Sequence, residues 1–262
     1  MRFATLFKKT AIENLRDWKI LSMTLTFAPF FVVLMYFYFG DRTTEVGAQL
    51  PSGVRSPSDF DLYVPALLAL ALMMLLFTAA ASLIKEKDKG TLIRLRLSNM
   101  TTVEWLSAIS VAQVILGLAS MGLALLTAVA LGYRTSGSVV AILMVGALTG
   151  MAMVAISVLV AAWLRTVFDL MTIGCFPFFV LMFFSGGMFP IPDVPLLSVA
   201  GRTLNINAIL PTTHSVSALG EVLNFGAGIS DVAFELGAVA VLTLAYFALG
   251  VWLFTRRHMR AR

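Results

Sequence analysis

The chain has 262 residues, of which 59% are hydrophobic and 13% charged; a soluble domain is about a quarter charged, so an ordinary soluble fold is excluded. A net charge of +5 would suit nucleic acid, but the cations flank long apolar runs and match an anionic membrane leaflet instead. The one cysteine, Cys175, excludes a disulfide framework and a cysteine-based zinc site, and no other metal site is read.

In chain order, residues 1–19 come first. Phe3, Phe7, Ala11, Leu15 and Trp18 recur at helical spacing, with Lys8, Lys9, Glu13, Arg16 and Asp17 on other faces. The pattern predicts a helix lying in the membrane interface, the alternative being a solvated leader. A helix needs about 20 apolar residues to cross about 30 Å of hydrocarbon. Six runs meet that length, approximately residues 20–39, 62–84, 106–133, 139–162, 170–189 and 232–255. The first is too long for a signal-peptide core and is read as a retained span. Pro29 and Pro177 sit inside the first and fifth runs, where each removes a backbone hydrogen bond and favours a kink. Gly146 and Gly150, with Gly117 and Gly122, place small residues on the third and fourth spans and predict close packing within the bundle.

Between the runs, residues 40–61 carry Gly47, Pro51, Gly53 and Pro57 and read as an irregular loop. Residues 85–98 are strongly charged and must lie outside the hydrocarbon. Residues 190–231 are long for a loop yet moderately apolar, and are expected to form one or two short external helices that partly re-enter the membrane. Of the nineteen Lys and Arg residues, all but Arg42, Arg55, Arg134 and Arg202 fall on one side of this topology, which places both termini in the cytoplasm. The result is an all-α integral membrane protein, a single transmembrane domain over residues 1–262.

Several chemistries are missing. No acidic residue lies in the middle of a span, which argues against proton coupling and, less strongly, against sodium coupling. No phosphate-cradling G-x-x-x-x-G-K-[ST] motif is present, so ATP could power the chain only through another polypeptide. The one enzymatic reading pairs Ser185 with His214 as an intramembrane dyad. The competing reading is a Ser-Gly-Gly break at a helix exit and an interfacial histidine.

Three motifs carry a resemblance. Lys85-Glu86-Lys87-Asp88-Lys89-Gly90-Thr91-Leu92 follows the second span, Phe184-Ser185-Gly186-Gly187-Met188-Phe189-Pro190 closes the fifth, and Ile209-Leu210-Pro211-Thr212-Thr213-His214 precedes the last. In order and spacing the chain resembles the permease subunit of ABC-2 type ATP-binding cassette exporters, with two departures: Asn99 where proline is frequent, and Leu210-Pro211 where Asn-Pro is commoner. The resemblance implies two permease copies, as a homodimer or with a sister permease, over two cytoplasmic ATPase subunits that bind ATP and Mg. The chain itself would carry no cofactor and no catalytic residue, and would sit as a multi-pass protein among the lipids of a bacterial cytoplasmic membrane. Residues 85–98 would be the coupling element, with Glu86 and Asp88 orienting the ATPase, Gly90 permitting a turn, Leu92 and Leu95 anchoring it, and Thr91 part of the same motif. The alternative is a segment that only follows the inner leaflet. Ser185, Gly186, Gly187, Pro190, Pro211 and His214 would form an external gate.

The apolar spans suggest an amphipathic or hydrophobic cargo such as a drug, natural product or lipid-like molecule. A polysaccharide or lipid-linked glycan is the alternative cargo, and a non-transport scaffold or sensor the alternative class. Phe176, Phe179 and Phe183 are candidates for the pathway wall, where aromatic platforms would favour a long saccharide, against a role as ordinary lipid-facing bulk.

Overall fold

The computed structural model describes residues 2–40, 59–90, 101–187, 189, 194–199 and 202–259. The first helix, α1 (Arg2–Arg16), ends one residue before α2 (Trp18–Phe39). Asp17 makes the corner by accepting a bond from the Ile20 amide, which caps α2. The α2 helix runs through Pro29 without a break.

The second apolar run is two helices, α3 (Asp59–Met73) and α4 (Leu75–Asp88), joined at Met74 into one 30-residue segment. Its residues are apolar on every side from Val64 to Phe77, and it occupies the centre of the bundle. Of its most apolar eighteen residues 94% are buried, against 17% for α2. Helix α5 (Thr102–Ala130) begins with a reciprocal cap between Thr101 and Glu104, and α6 (Val139–Trp163) returns beside it. An added Cβ at Gly146 would stand 2.6 Å from the Met121 side chain, and one at Gly150 3.4 Å from Val114. The small residues thus let α5 and α6 approach within this one chain.

Among the described residues, five helical segments are long and apolar enough to cross a membrane. The sixth expected run differs. It is α7 (Val167–Thr172) followed by α8 (Cys175–Phe183), together shorter than the other five. The cause is Pro177, whose ring crowds the carbonyl four residues back, at Ile173, where the helix breaks.

The segment before the last helix also departs from expectation. Strands β1 (Pro195–Val199) and β2 (Arg202–Asn205) pair antiparallel, a single turn of 3₁₀ helix (Ile206–Ile209) follows, and only then comes α9 (Pro211–Phe225). Of the one or two helices expected, α9 is one, and a hairpin precedes it where a second helix could have been. Leu196 to Val199 and Arg202 to Leu204 flank a two-residue link containing Gly201, a hairpin signal that the segment's overall apolarity obscured. The last long helix, α10 (Ala233–Phe254), packs along α6 and ends in a π turn (Thr255–Met259).

One end of the bundle is basic. There the ends of α4, α6 and α10 and the start of α5 meet: Trp105 lies 5.7 Å from Phe254, the Lys87 ammonium 6.0 Å from the Phe254 ring, and the Arg257 guanidinium 3.7 Å from the Trp163 ring.

Candidate coupling end and transport groove

At the basic end, α1 is stapled to the last turn of α4 by lysines and carboxylates nearly seventy or more residues apart in sequence. Lys85 Nζ is 2.6 Å from Asp17 Oδ2, and Lys9 Nζ is 3.0 Å from Glu86 Oε2. Lys89 reaches Glu13 at 3.2 Å and Glu86 at 3.3 Å. The hydrogen bond from Lys85 holds the Asp17 carboxyl below its ordinary value. Behind these pairs, the buried Gln113 of α5 donates to Asn14 of α1 at 3.2 Å.

Of the expected coupling residues, Glu86 is 5% exposed and bonded inside the chain, whereas Asp88 is exposed. Gly90 has φ +69, with nothing near the position of an added Cβ. It is a left-handed turn as the motif required, and Gly90→Ala should cost about 1 kcal/mol through backbone strain alone, read as a lower unfolding midpoint with no other loss of packing. Thr91, Leu92 and Leu95 lie outside the described residues.

Lys87, next to Glu86, was not singled out by sequence reasoning. Its ammonium donates at 2.8 Å to both Ala161 O and Leu164 O, closing the C-terminal end of α6 where helix carbonyls lack partners. Substitution by methionine keeps the stem and removes the donors. The expected loss is about 1 kcal/mol, largely restored by arginine, measured as thermal unfolding of the detergent-purified chain.

Nearer the centre, a groove of about 500 Å³ opens between α2 and α8, with Met74 and Phe77 as its floor. Met23, Phe27, Phe31 and Met35 form one wall, a single face of α2. Phe179 and Phe183, both expected on the pathway, stand on the opposite wall with rings stacked 5.9 Å apart. Phe176 does not join them; it points outward and is 74% exposed. Among the described residues the walls carry no charged and no hydroxyl side chain. The volume falls in the range of small-molecule sites, about 300–1,000 Å³, and flexible thioethers adapt to varied shapes.

The expected gate residues lie around the end of α8. Ser185 donates to Met182 O at 2.9 Å, Gly186 has φ +78, and Gly187 sits where α3 and α9 cross. Pro211 opens α9 as its first residue. His214 bonds through Nε2 to Ala208 O at 3.0 Å, and no bond joins it to Ser185. The serine-histidine dyad therefore does not form. Pro190 lies outside the described residues. Three further contacts fix α9: Thr212 donates to Leu181 O at 3.2 Å, Thr149 to Ser215 Oγ at 2.8 Å, and the Tyr246 hydroxyl to Ile209 O at 3.1 Å. Thr149, between Gly146 and Gly150, was hidden in the small-residue pattern.

Residues 44–252, spanning α3 to nearly the end of α10, match the profile of the ABC-2 family transporter proteins. The chain belongs to this family. No match is found among curated proteins. As an ABC-2 permease it is a multi-pass membrane protein and a membrane component of transport, not itself catalytic, of a kind that generally works with an ABC ATPase. Residues 85–90 end the central segment α3–α4 of the permease, and the Phe-Ser-Gly motif follows the short helix α8.

Proposed function

We propose that the chain is the permease subunit of an ATP-binding cassette exporter in a bacterial cytoplasmic membrane, moving an amphipathic or hydrophobic molecule. The observation that carries this reading is the groove of methionine and phenylalanine side chains between α2 and α8. A saccharide would need hydrogen-bond partners, and the described walls offer none from their side chains, which favours an apolar cargo over a glycan. Two permeases, alike or paired with a sister chain, stand over two ATPase subunits that hold ATP and Mg.

In this reading the basic end is cytoplasmic, α1 lies in its interface, and α7 and α8 make a short sixth span. Helix α9 is re-entrant. Its start is tied to Thr149 and, through Ile209, to Tyr246, both well inside their long helices, while Leu223 near its end bonds the Ser136 amide in the loop between α5 and α6. Such backbone is tolerated at membrane depth when buried in protein. The segment following Gly90 docks on the ATPase through Leu92 and Leu95, with exposed Asp88 at the rim, so that closure of the ATPases moves α4. Lys87 passes that movement to α6, and the buried Glu86 passes it to α1.

The test is reconstitution. The purified permease should neither bind nor hydrolyse ATP until its ATPase is added, and cargo should then stimulate turnover. Leu92→Ala and Leu95→Ala should each weaken ATPase association about tenfold, as interface anchors worth about 1–3 kcal/mol do. Arg42→Ala should leave it unchanged. Turnover indifferent to every amphiphile would support a scaffold instead.

A further inference from the structure

At the basic end a polar cleft of about 650 Å³ lies between α1, the start of α2 and the end of α4. Its acids are already engaged: Glu13, Asp17 and Glu86 are matched by Lys9, Lys85 and Lys89, a neutral cluster of six. Arg16 and Lys19, also on the cleft wall, are exposed and make no ion pair among the described residues. Trp18 between them is 70% exposed and offers an indole N–H. The cleft's spare capacity is thus two positive charges and a donor, which suits an anion carrying more than one acceptor oxygen.

The cleft and the groove share one face of α2, and both also border α4. On α2, Ile20 lines the cleft, and Met23 and Phe27, the next turns of that face, line the groove. On α4, Lys85 and Ser82 line the cleft and Phe77 the groove. Met23 stands three helical steps beyond Ile20, a rise of about 4.5 Å. We infer that cleft and groove form one site for a phosphate-headed amphiphile taken from the adjoining leaflet, its head between Arg16 and Lys19 and its chains against Phe27 and Phe179. This rests on reading the groove as the cargo site and names the class of molecule that enters it.

Binding needs no ATPase, so the test stands apart from the export assay. The purified chain in neutral detergent is titrated with dioleoyl phosphatidic acid or dioleoylglycerol, and retained lipid is read by native mass spectrometry. Phosphatidic acid should be retained about tenfold better, a difference of about 1.4 kcal/mol. The double variant R16Q/K19Q should abolish that preference without shifting the unfolding midpoint. K8Q, an exposed cation of α1 outside the cleft, should keep it. Phe27→Ala and Phe179→Ala should lower retention of both lipids, and millimolar inorganic phosphate should not displace phosphatidic acid. Equal losses in K8Q and R16Q/K19Q would reduce the effect to general surface charge and overturn the site. So would displacement by inorganic phosphate, which marks a free-anion site, or indifference to both phenylalanine variants. Lipid binding that persists in a complex with no stimulated turnover would sink the export reading and leave this one standing.

Discussion

Replacing Glu86 by alanine is expected to lower the stability of the permease by about 2 kcal/mol, before any effect on a partner is seen. The carboxylate is 6% exposed and sits between two lysines that are 44% and 54% exposed. Each pair, half open to solvent, contributes about 1 kcal/mol or less. Removing the shared anion loses both and leaves Lys9 and Lys89 to share Glu13 across the α1–α4 junction. Glu86→Gln keeps the shape and some hydrogen bonding, and should lose about half as much. The cycle of Lys9→Ala, Glu86→Ala and the double variant should return a coupling energy of about 0.5–1 kcal/mol by thermal unfolding in detergent. A zero coupling energy would show that the two helices are not joined here. An export defect of Glu86→Ala therefore has to be compared with Leu92→Ala, which leaves this cluster intact, before it is assigned to ATPase docking.

The larger effect is expected at Gly187. A Cβ there would stand 2.7 Å from Ala66 Cβ and 2.9 Å from Val216 Cγ1. Ala66 is 5% exposed and its Cβ is fixed to the backbone of α3, so it cannot rotate away. Gly187→Val must push α3 from α9 or expel the end of α8, and overpacking of this kind costs about 3 kcal/mol. The measurement is the yield of monodisperse protein together with the unfolding midpoint. Gly122→Val is the control, since nothing lies within 4 Å of an added Cβ there. If both variants behave alike, the crossing is looser than its geometry requires.

The five long helices were legible because each is an uninterrupted apolar run bounded by charge or by turn residues, and the central place of α3–α4 is foreshadowed by its lack of any polar face from Val64 to Phe77. Less legible was whatever depends on partners far apart in sequence. Nothing in the spacing of Lys9 and Glu86, 77 residues apart, announces an ion pair, so Glu86 read as free charge on a loop. Lys87 looked like one cation among five, because the carbonyls it closes belong to a helix that ends 76 residues later. The groove was half visible. Phe179 and Phe183 stood out in a run of aromatics, whereas Met23 and Phe27 are typical of any membrane helix and only the fold brings them opposite α8. The hairpin was missed because a moderately apolar external segment admits helix or strand, and tertiary contacts decide between them.

The enclosure of α3–α4 also bears on the order in which the protein is made. This segment leaves the ribosome second, yet the helices that surround it, α5, α6 and α9, are all synthesised later, the last beginning at Pro211. Until they arrive its neighbours are α2 and lipid. Lipid tails are as apolar as leucine, so the stretch from Val64 to Phe77, which has no polar stripe, can wait there at little cost, with the Glu86 carboxylate held beyond it among the lysines of the basic end. Final enclosure comes not from greasiness but from close fit, with Gly117 against Leu75 and Gly187 against Ala66. A chain halted before α9 should thus insert normally, fail to close, and expose the middle of the permease to the quality-control proteases of the membrane.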